Sequence, residues 1–343
     1  MAPGLMHLIL ALFLLAAPIP AHASAGIPGL TEPVRFSAPA FGGQVEVEVR
    51  GLPRVAAEAA IQEALAEVAA LERTTDPAVP GSGVAALNAG AGAGPQAVDP
   101  KLSKLLARAL EFCFWTEGAH GPLGRDLYKL WGLRALAAAL PDDETLKPAI
   151  AAASCSGLRY DTQKNTATLA AGAGLDLWGF AEGEAVDRAI AALKRHKAPT
   201  GFVQIGTVRR GFGAGPGGKG WRVVLPVFDG LDQPLGEVWL RDQALAVASS
   251  ASRHTLRIGG DLYPPYLNQR TGKPSTGVLA AIAGSELAVD ALALAATAMV
   301  LTPHEAQLRL GSLRPQPAIL WILGSGQGTP LLLEYRWSTV PKK

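Results

Sequence analysis

Two carboxylates flanking a glycine turn are the residues of this chain whose spacing could do chemistry. In Leu175–Asp187, LDLWGFAEGEAVD, an apolar run ends in Asp176 and a turn passes through Gly179. A helix is expected from Ala181 to about Lys197, with Glu182 in its first turn. The first N–H groups of a helix have no partner inside it and can bind an anion, while carbonyls of the preceding turn can bind a cation. Asp176 and Glu182 beside such groups would make a corner for a nucleotide and a metal ion. The same acids also serve a helix start by capping it and complementing its dipole, with no ligand at all. A third acid, Asp290, interrupts the apolar string VDALALAATAMV. A carboxylate in a buried helix must be paired, hydrogen-bonded or metal-bound, because leaving it bare costs roughly several kcal/mol. A hard cation such as magnesium would suit it, and so would a hydrogen-bonding role near the helix start.

Other chemical-looking patterns lead elsewhere. Gly213 to Lys219 satisfies GxxxxGK, but Gly220 replaces the Ser or Thr that would hold magnesium. A strand-like WRVVLPV follows where a phosphate loop needs a helix. The glycine run reads as a flexible connection between strands, with Lys219 in solvent. There is no GxSxG elbow around Ser249-Ser250, and the six histidines lack zinc-ligand spacing. His120 is set apart from the other histidines by its place in a glycine-rich turn.

The elements that must position these residues follow from patterning. The 343 residues, 49% of them hydrophobic, suffice for one large core or two smaller ones. A formal charge of +2, without a clustered basic face, argues against a nucleic-acid partner. Leu8 to Ala17 is apolar but short for a bilayer, and Ala21-His22-Ala23 fits a leader-peptidase site. A leader over 1–23, a periplasmic location and a mature chain with no transmembrane segment are therefore expected. Cys113 and Cys155 could pair in an oxidising compartment, or Cys113 could be a free core residue in its apolar string.

QVEVEVR, 44–50, alternates as a half-buried strand, and Arg54 to Arg73 has the composition of an amphipathic helix. Asp76 to Pro95 reads as a long surface loop. Asp99-Pro100 is a strong start for a helix reaching Trp115. A short helix is expected over Asp143 to Ser154, a strand pair within 157–177, and strands at 201–206, 221–228 and 236–240, with a turn at Asp229-Gly230. Ser285 to Leu301 should be a helix buried almost all round, and Ile319–Leu323 and Leu331–Tyr335 should finish the sheet. Strands and helices mix without strict βαβ alternation, so the class is α+β.

Taken together, these segments resemble the ApbE family, the FAD:protein FMN transferases. The family's Ser- and Asn-bearing loop matches SGVAALN, 82–88, and its TxGAFDPTVGPLVxLWGF matches TEGAHGPLGRDLYKLWGL, 116–133. Its DLGGIAKGYAVD matches 176–187, its GGxxxxxG region 206–211, its ATSG and HIIDPRTG motifs AVASSA and PYLNQRTG, and its ADALATA helix VDALALA. The resemblance implies an α+β, T-fold-related single domain over 24–343 with FAD as substrate. FMN would pass from FAD to a Thr hydroxyl of an acceptor flavoprotein of an electron-transfer system, with release of AMP and with magnesium on the pyrophosphate. It places Phe41, Ala119, His120, Gly121, Asp176 and Glu182 on FAD. It places magnesium on the Gly179 carbonyl and the Asp290 carboxylate, and names no catalytic group.

The chain also departs from the pattern. AFD is Ala119-His120-Gly121, the His and Asp of HIIDPRTG are Pro265 and Asn268, and the opening MGT is Phe41-Gly42-Gly43. The Thr four residues after the family Asp is Leu294, and Thr297 lies about 10 Å along the helix axis from Asp290. These losses leave a second reading open, a catalytically impaired FAD-binding or scaffolding homologue in the periplasm.

Overall fold

The computed structural model describes residues 32–337, except 134–139, 162, 229, 253, 259 and 326–327. The expected leader and the Asp229 position of the expected turn lie outside the described residues. Eight strands form the central sheet: β1 (Val34–Ala40), β2 (Gly43–Arg50), β3 (Thr200–Ile205), β4 (Val208–Phe212), β5 (Gln243–Ser249), β6 (Val278–Ser285), β7 (Ala318–Leu323) and β8 (Leu331–Tyr335). They lie side by side in chain order, each antiparallel to the next. The α+β class is thus observed, with every connection in the sheet antiparallel.

The alternation read in β2 is the pleat itself. Val45, Val47 and Val49 are buried, and Glu46 and Glu48 turn to the other face. The helices follow as α1 (Arg54–Thr75), α2 (Gly83–Ala89), α3 (Pro100–Trp115), α4 (Arg125–Leu130), α5 (Asp143–Ala152), α6 (Ala181–Arg195), α7 (Ala288–Val300) and α8 (Pro303–Leu310). α1, α6 and α7 cover one sheet face and share its main core. α7 is apolar on nearly every side because β5 and β6 lie under it while α6 and α8 flank it. Trp221–Val224 and Glu237–Leu240 pair as a small ribbon whose Trp221 and Val223 join a second apolar cluster with Leu245, Ile282 and Leu320.

Local chemistry set several helix ends as expected. The Asp99 side chain accepts from the Lys101 N–H at 2.7 Å, with Pro100 in the first turn of α3. The stretch 76–95 is not one loop, because α2 forms inside it. Ser82 caps α2 by accepting from the Ala85 N–H at 3.0 Å, and Val84 and Leu87 bury its apolar side. Cys113 and Cys155 form a disulfide that joins the end of α3 to the segment before Leu158. Of the two readings left open, the pair is the one observed. Closing a loop across 42 residues stabilises the fold by about 3–4 kcal/mol in the chain-entropy picture.

Candidate functional site

The turn before α6 is fixed from several directions. Asn88 holds Leu175 twice: its Oδ1 accepts the Leu175 N–H at 2.7 Å and its Nδ2 donates to the Leu175 carbonyl at 3.0 Å. Asp176 is buried, its N–H donates to the Pro122 carbonyl at 2.9 Å, and its Oδ1 accepts the Trp178 N–H at 2.9 Å. That last bond is an Asx turn, so Asp176 shapes the backbone ahead of α6. Gly179 follows with φ +91°, and a Cβ there would stand 3.1 Å from His120 Cε1. Glycine is therefore demanded twice, by conformation and by space. Glu182 and Glu184 then occupy the first turn of α6, where the helix dipole favours them.

Behind that turn lies the 119–121 loop. The Thr116 hydroxyl accepts the His120 N–H at 3.1 Å and sits 2.9 Å from the His120 carbonyl. Gln269 ties the loop from the other side, its N–H donating to the Ala119 carbonyl at 3.0 Å and its Nε2 to the Gly121 carbonyl at 2.8 Å. A Cβ on Gly121 would come within 2.6 Å of Cys113 Sγ, so the loop is seated on the disulfide. The His120 ring stacks on Phe180 with centroids 5.0 Å apart and planes 15° apart. Its burial pushes the imidazole down to about 4, so it is neutral at pH 7. Its Nε2 is buried without a hydrogen-bond partner.

Two clefts meet at this turn. The larger, about 500 Å³, is walled by β5, Ser250 to Ser252, His254, Phe228, Tyr266 and the α7 residues Leu292 and Ala296. The second, about 440 Å³, takes in Phe41, Gly42, Glu72, Asp76 and Asp176. Trp178, Gly179, Glu182 and His254 line both. Phe41 has φ +51°, and its N–H donates to Glu72 Oε1 at 2.7 Å, which fixes the β1–β2 turn at the mouth of the second cleft.

The structure therefore brings Phe41, Asp176, Gly179 and Glu182 to one place. Ala119, His120 and Gly121 adjoin it but line neither cleft; they form the layer beneath Gly179. Trp178, Tyr266 and His254 were not picked out from the sequence, and the one available signal was the bulky Trp178 where the resembled motif has glycine. Gln269 carried no signal, since a glutamine binding two carbonyls looks like any other.

Asp290 is placed differently from the expectation. Its two oxygens accept from Arg108 Nε and Nη2, both at 2.7 Å, in a bidentate pair. Arg108 also reaches Glu111 at 2.6 Å and lies over the Phe112 ring at 5.2 Å, on the α3 side. The face of α7 turned to the larger cleft carries Leu292 and Ala296, which are two and six residues further on. The α7 backbone itself comes close: a Cβ on Gly183 would stand 2.5 Å from Val289 Cα. Asp187 of α6 also accepts the Ala288 and Val289 N–H groups at 2.9 and 3.0 Å and pairs with Arg210 at 2.6 Å. Helix rotation, not distance along the fold, keeps the Asp290 carboxylate out of the cleft. Of the two residues expected to hold magnesium, Gly179 lies at the clefts and Asp290 has its carboxylate engaged by Arg108. Among the described residues no group of three or more His, Cys, Asp or Glu could hold a metal ion.

The ApbE family model matches residues 41–320. A FAD:protein FMN transferase of Treponema pallidum (strain Nichols) is 34% identical over 131 residues, a match covering 36% of this chain and 36% of that protein. The apo flavinyl transferase ApbE of Pseudomonas stutzeri superposes with a TM-score of 0.79 at 21% identity, over 90% of this chain and 96% of that one. The ApbE protein of Thermotoga maritima gives 0.77 at 24% identity, over 89% and 97%. At these identities the two structures bear on the fold.

Proposed function

The chain belongs to the ApbE family, and we propose that it transfers FMN from FAD to a Thr hydroxyl of an acceptor flavoprotein. The observation that carries this reading is the cleft of about 500 Å³, with aromatic walls, beside the Asp176–Glu182 turn, the segment that also carries the sequence resemblance. In the reaction the acceptor oxygen forms a bond to the FMN phosphorus, the pyrophosphate P–O bond breaks, and AMP leaves; the hydroxyl proton passes to solvent or to AMP. Trp178, Tyr266 and Phe228 offer flat apolar surface to a flavin ring, and the small Gly179 leaves backbone exposed beside it.

We further propose export to the periplasm, on the strength of the N-terminal apolar run and the small-residue site after it. The Cys113–Cys155 bond agrees with an oxidising compartment. The acceptor would then belong to an electron-transfer system at that location.

The Asp290–Arg108 pair favours a second reading, a flavin-binding or scaffolding homologue impaired in transfer. One experiment separates the two. The full chain is incubated with FAD and a Thr-bearing acceptor domain, with and without magnesium, and the acceptor is examined for covalent flavin fluorescence. Labelling supports the transferase. FAD binding without labelling selects the second reading, and no FAD binding removes both.

A further inference from the structure

We propose that Trp178, with His254, is a partition that sets how much of a dinucleotide this site admits; the inference rests on reading the site as a flavin site. The two clefts have four residues in common. Gly179 contributes no side chain, whereas Trp178, His254 and Glu182 each present one to both clefts. The side chains at the junction of the clefts are therefore an indole, an imidazole and a carboxylate, of which the indole is the bulkiest.

The indole is held from three directions. It stacks on Tyr266 with centroids 5.7 Å apart and planes 28° apart. It meets Tyr128 edge-on at 5.7 Å and His254 edge-on at 6.0 Å. Such contacts each contribute beyond area burial and together favour one ring orientation. Its base is fixed as well, since the Trp178 N–H donates to Asp176.

The two clefts suit different halves of a dinucleotide. The larger offers aromatic faces and the hydroxyls of Thr207, Ser249 and Ser250, which fits a flat, uncharged heterocycle. The smaller offers carboxylates, and two of these already accept backbone N–H groups: Glu72 from Phe41 and Asp76 from Ala78. A wall of acceptors fits a base that donates from an amino group. A ligand spanning both passes the residues that the clefts share, and Trp178 is the largest of these. In this arrangement the flavin half of FAD seats in the larger cleft and the adenylate half stays outside the smaller one.

The test is the ratio of riboflavin to FAD affinity, measured by fluorescence titration on the full chain and on Trp178→Gly, with a thermal melt of each. The native chain should bind the two ligands within about threefold of one another, because the second half of FAD adds few contacts. Trp178→Gly should shift the ratio toward FAD by at least roughly tenfold. An unchanged ratio overturns the partition. If Trp178→Gly loses its cooperative melt, Trp178→Phe takes its place; a shift in the same direction of about threefold supports the proposal, and none overturns it. Acceptor labelling on the native chain is scored separately. Labelling with an unchanged ratio removes the partition and leaves the transferase, whereas a shifted ratio without labelling does the reverse. Absence of flavin binding in every form overturns both.

Discussion

The starts of α6 and α7 look alike in sequence and do different work. Each carries acids in its first turn, Glu182 and Glu184 in one and Asp290 in the other. At α6 the glycine turn leaves Glu182 on the wall of two clefts. At α7 the first turn lies against α6, and Asp290 faces Arg108 of α3. The N–H groups at the α7 start are taken by Asp187. One helix start presents its acid to the clefts, and the other is closed by a carboxylate from its neighbour.

Removing the closing acid should break the contrast most severely. Asp187→Ala leaves Arg210 without its partner and the α7 start uncapped, in a place where both side chains are largely buried. A loss of about 3–5 kcal/mol is expected from chemical denaturation. A loss below about 1 kcal/mol would mean that this junction does not hold α7 in place.

The layer beneath Gly179 gives the next largest effect, and its sign is fixed. His120 titrates near 6.5 when unfolded, but burial holds it at about 4 in the fold. As pH falls, the unfolded chain takes the proton first. The contribution is therefore fully present above pH 6.5, declines between 6.5 and 4, and levels off below 4, a total of about 3 kcal/mol. Stability measured across this window should fall more steeply for the native chain than for His120→Gln. Equal slopes would show that the ring is not buried neutral.

The smallest effects sharpen the contrast itself. Asp290→Ala should cost about 1–2 kcal/mol, as Arg108 is partly in solvent, and should leave FAD affinity unchanged with or without magnesium. Glu182→Gln should do the converse, weakening FAD binding about fivefold while moving stability by less than about 0.5 kcal/mol. Magnesium-dependent FAD binding that vanishes in Asp290→Ala would restore the carboxylate as a metal ligand.

Much of the scaffold was legible because it rests on local rules. The β2 alternation, the Asp99-Pro100 start of α3, the extent of α6 and the burial of α7 each follow from periodicity or from one capping group. α2 was missed because Ala- and Gly-rich sequence hides a helix of two turns whose start hangs on Ser82 alone. β5 and β6 were not anticipated, as Ala-bearing strands buried on both faces show no alternation, and β1, exposed along most of its length, and β4, with two arginines in five residues, show none either.

The sequence by itself determined the family, the glycine turn and the acids beside it, because these depend on neighbours a few residues away. Tertiary structure decided which acid meets which partner: Asp187 with α7, Asp290 with Arg108, Trp178 with Tyr266 and His254. Each of these pairings joins segments far apart in the chain. A helix places successive side chains about 100° apart, so the neighbour across the interface, and not the residue type, settles whether a carboxylate faces a cleft or a guanidinium.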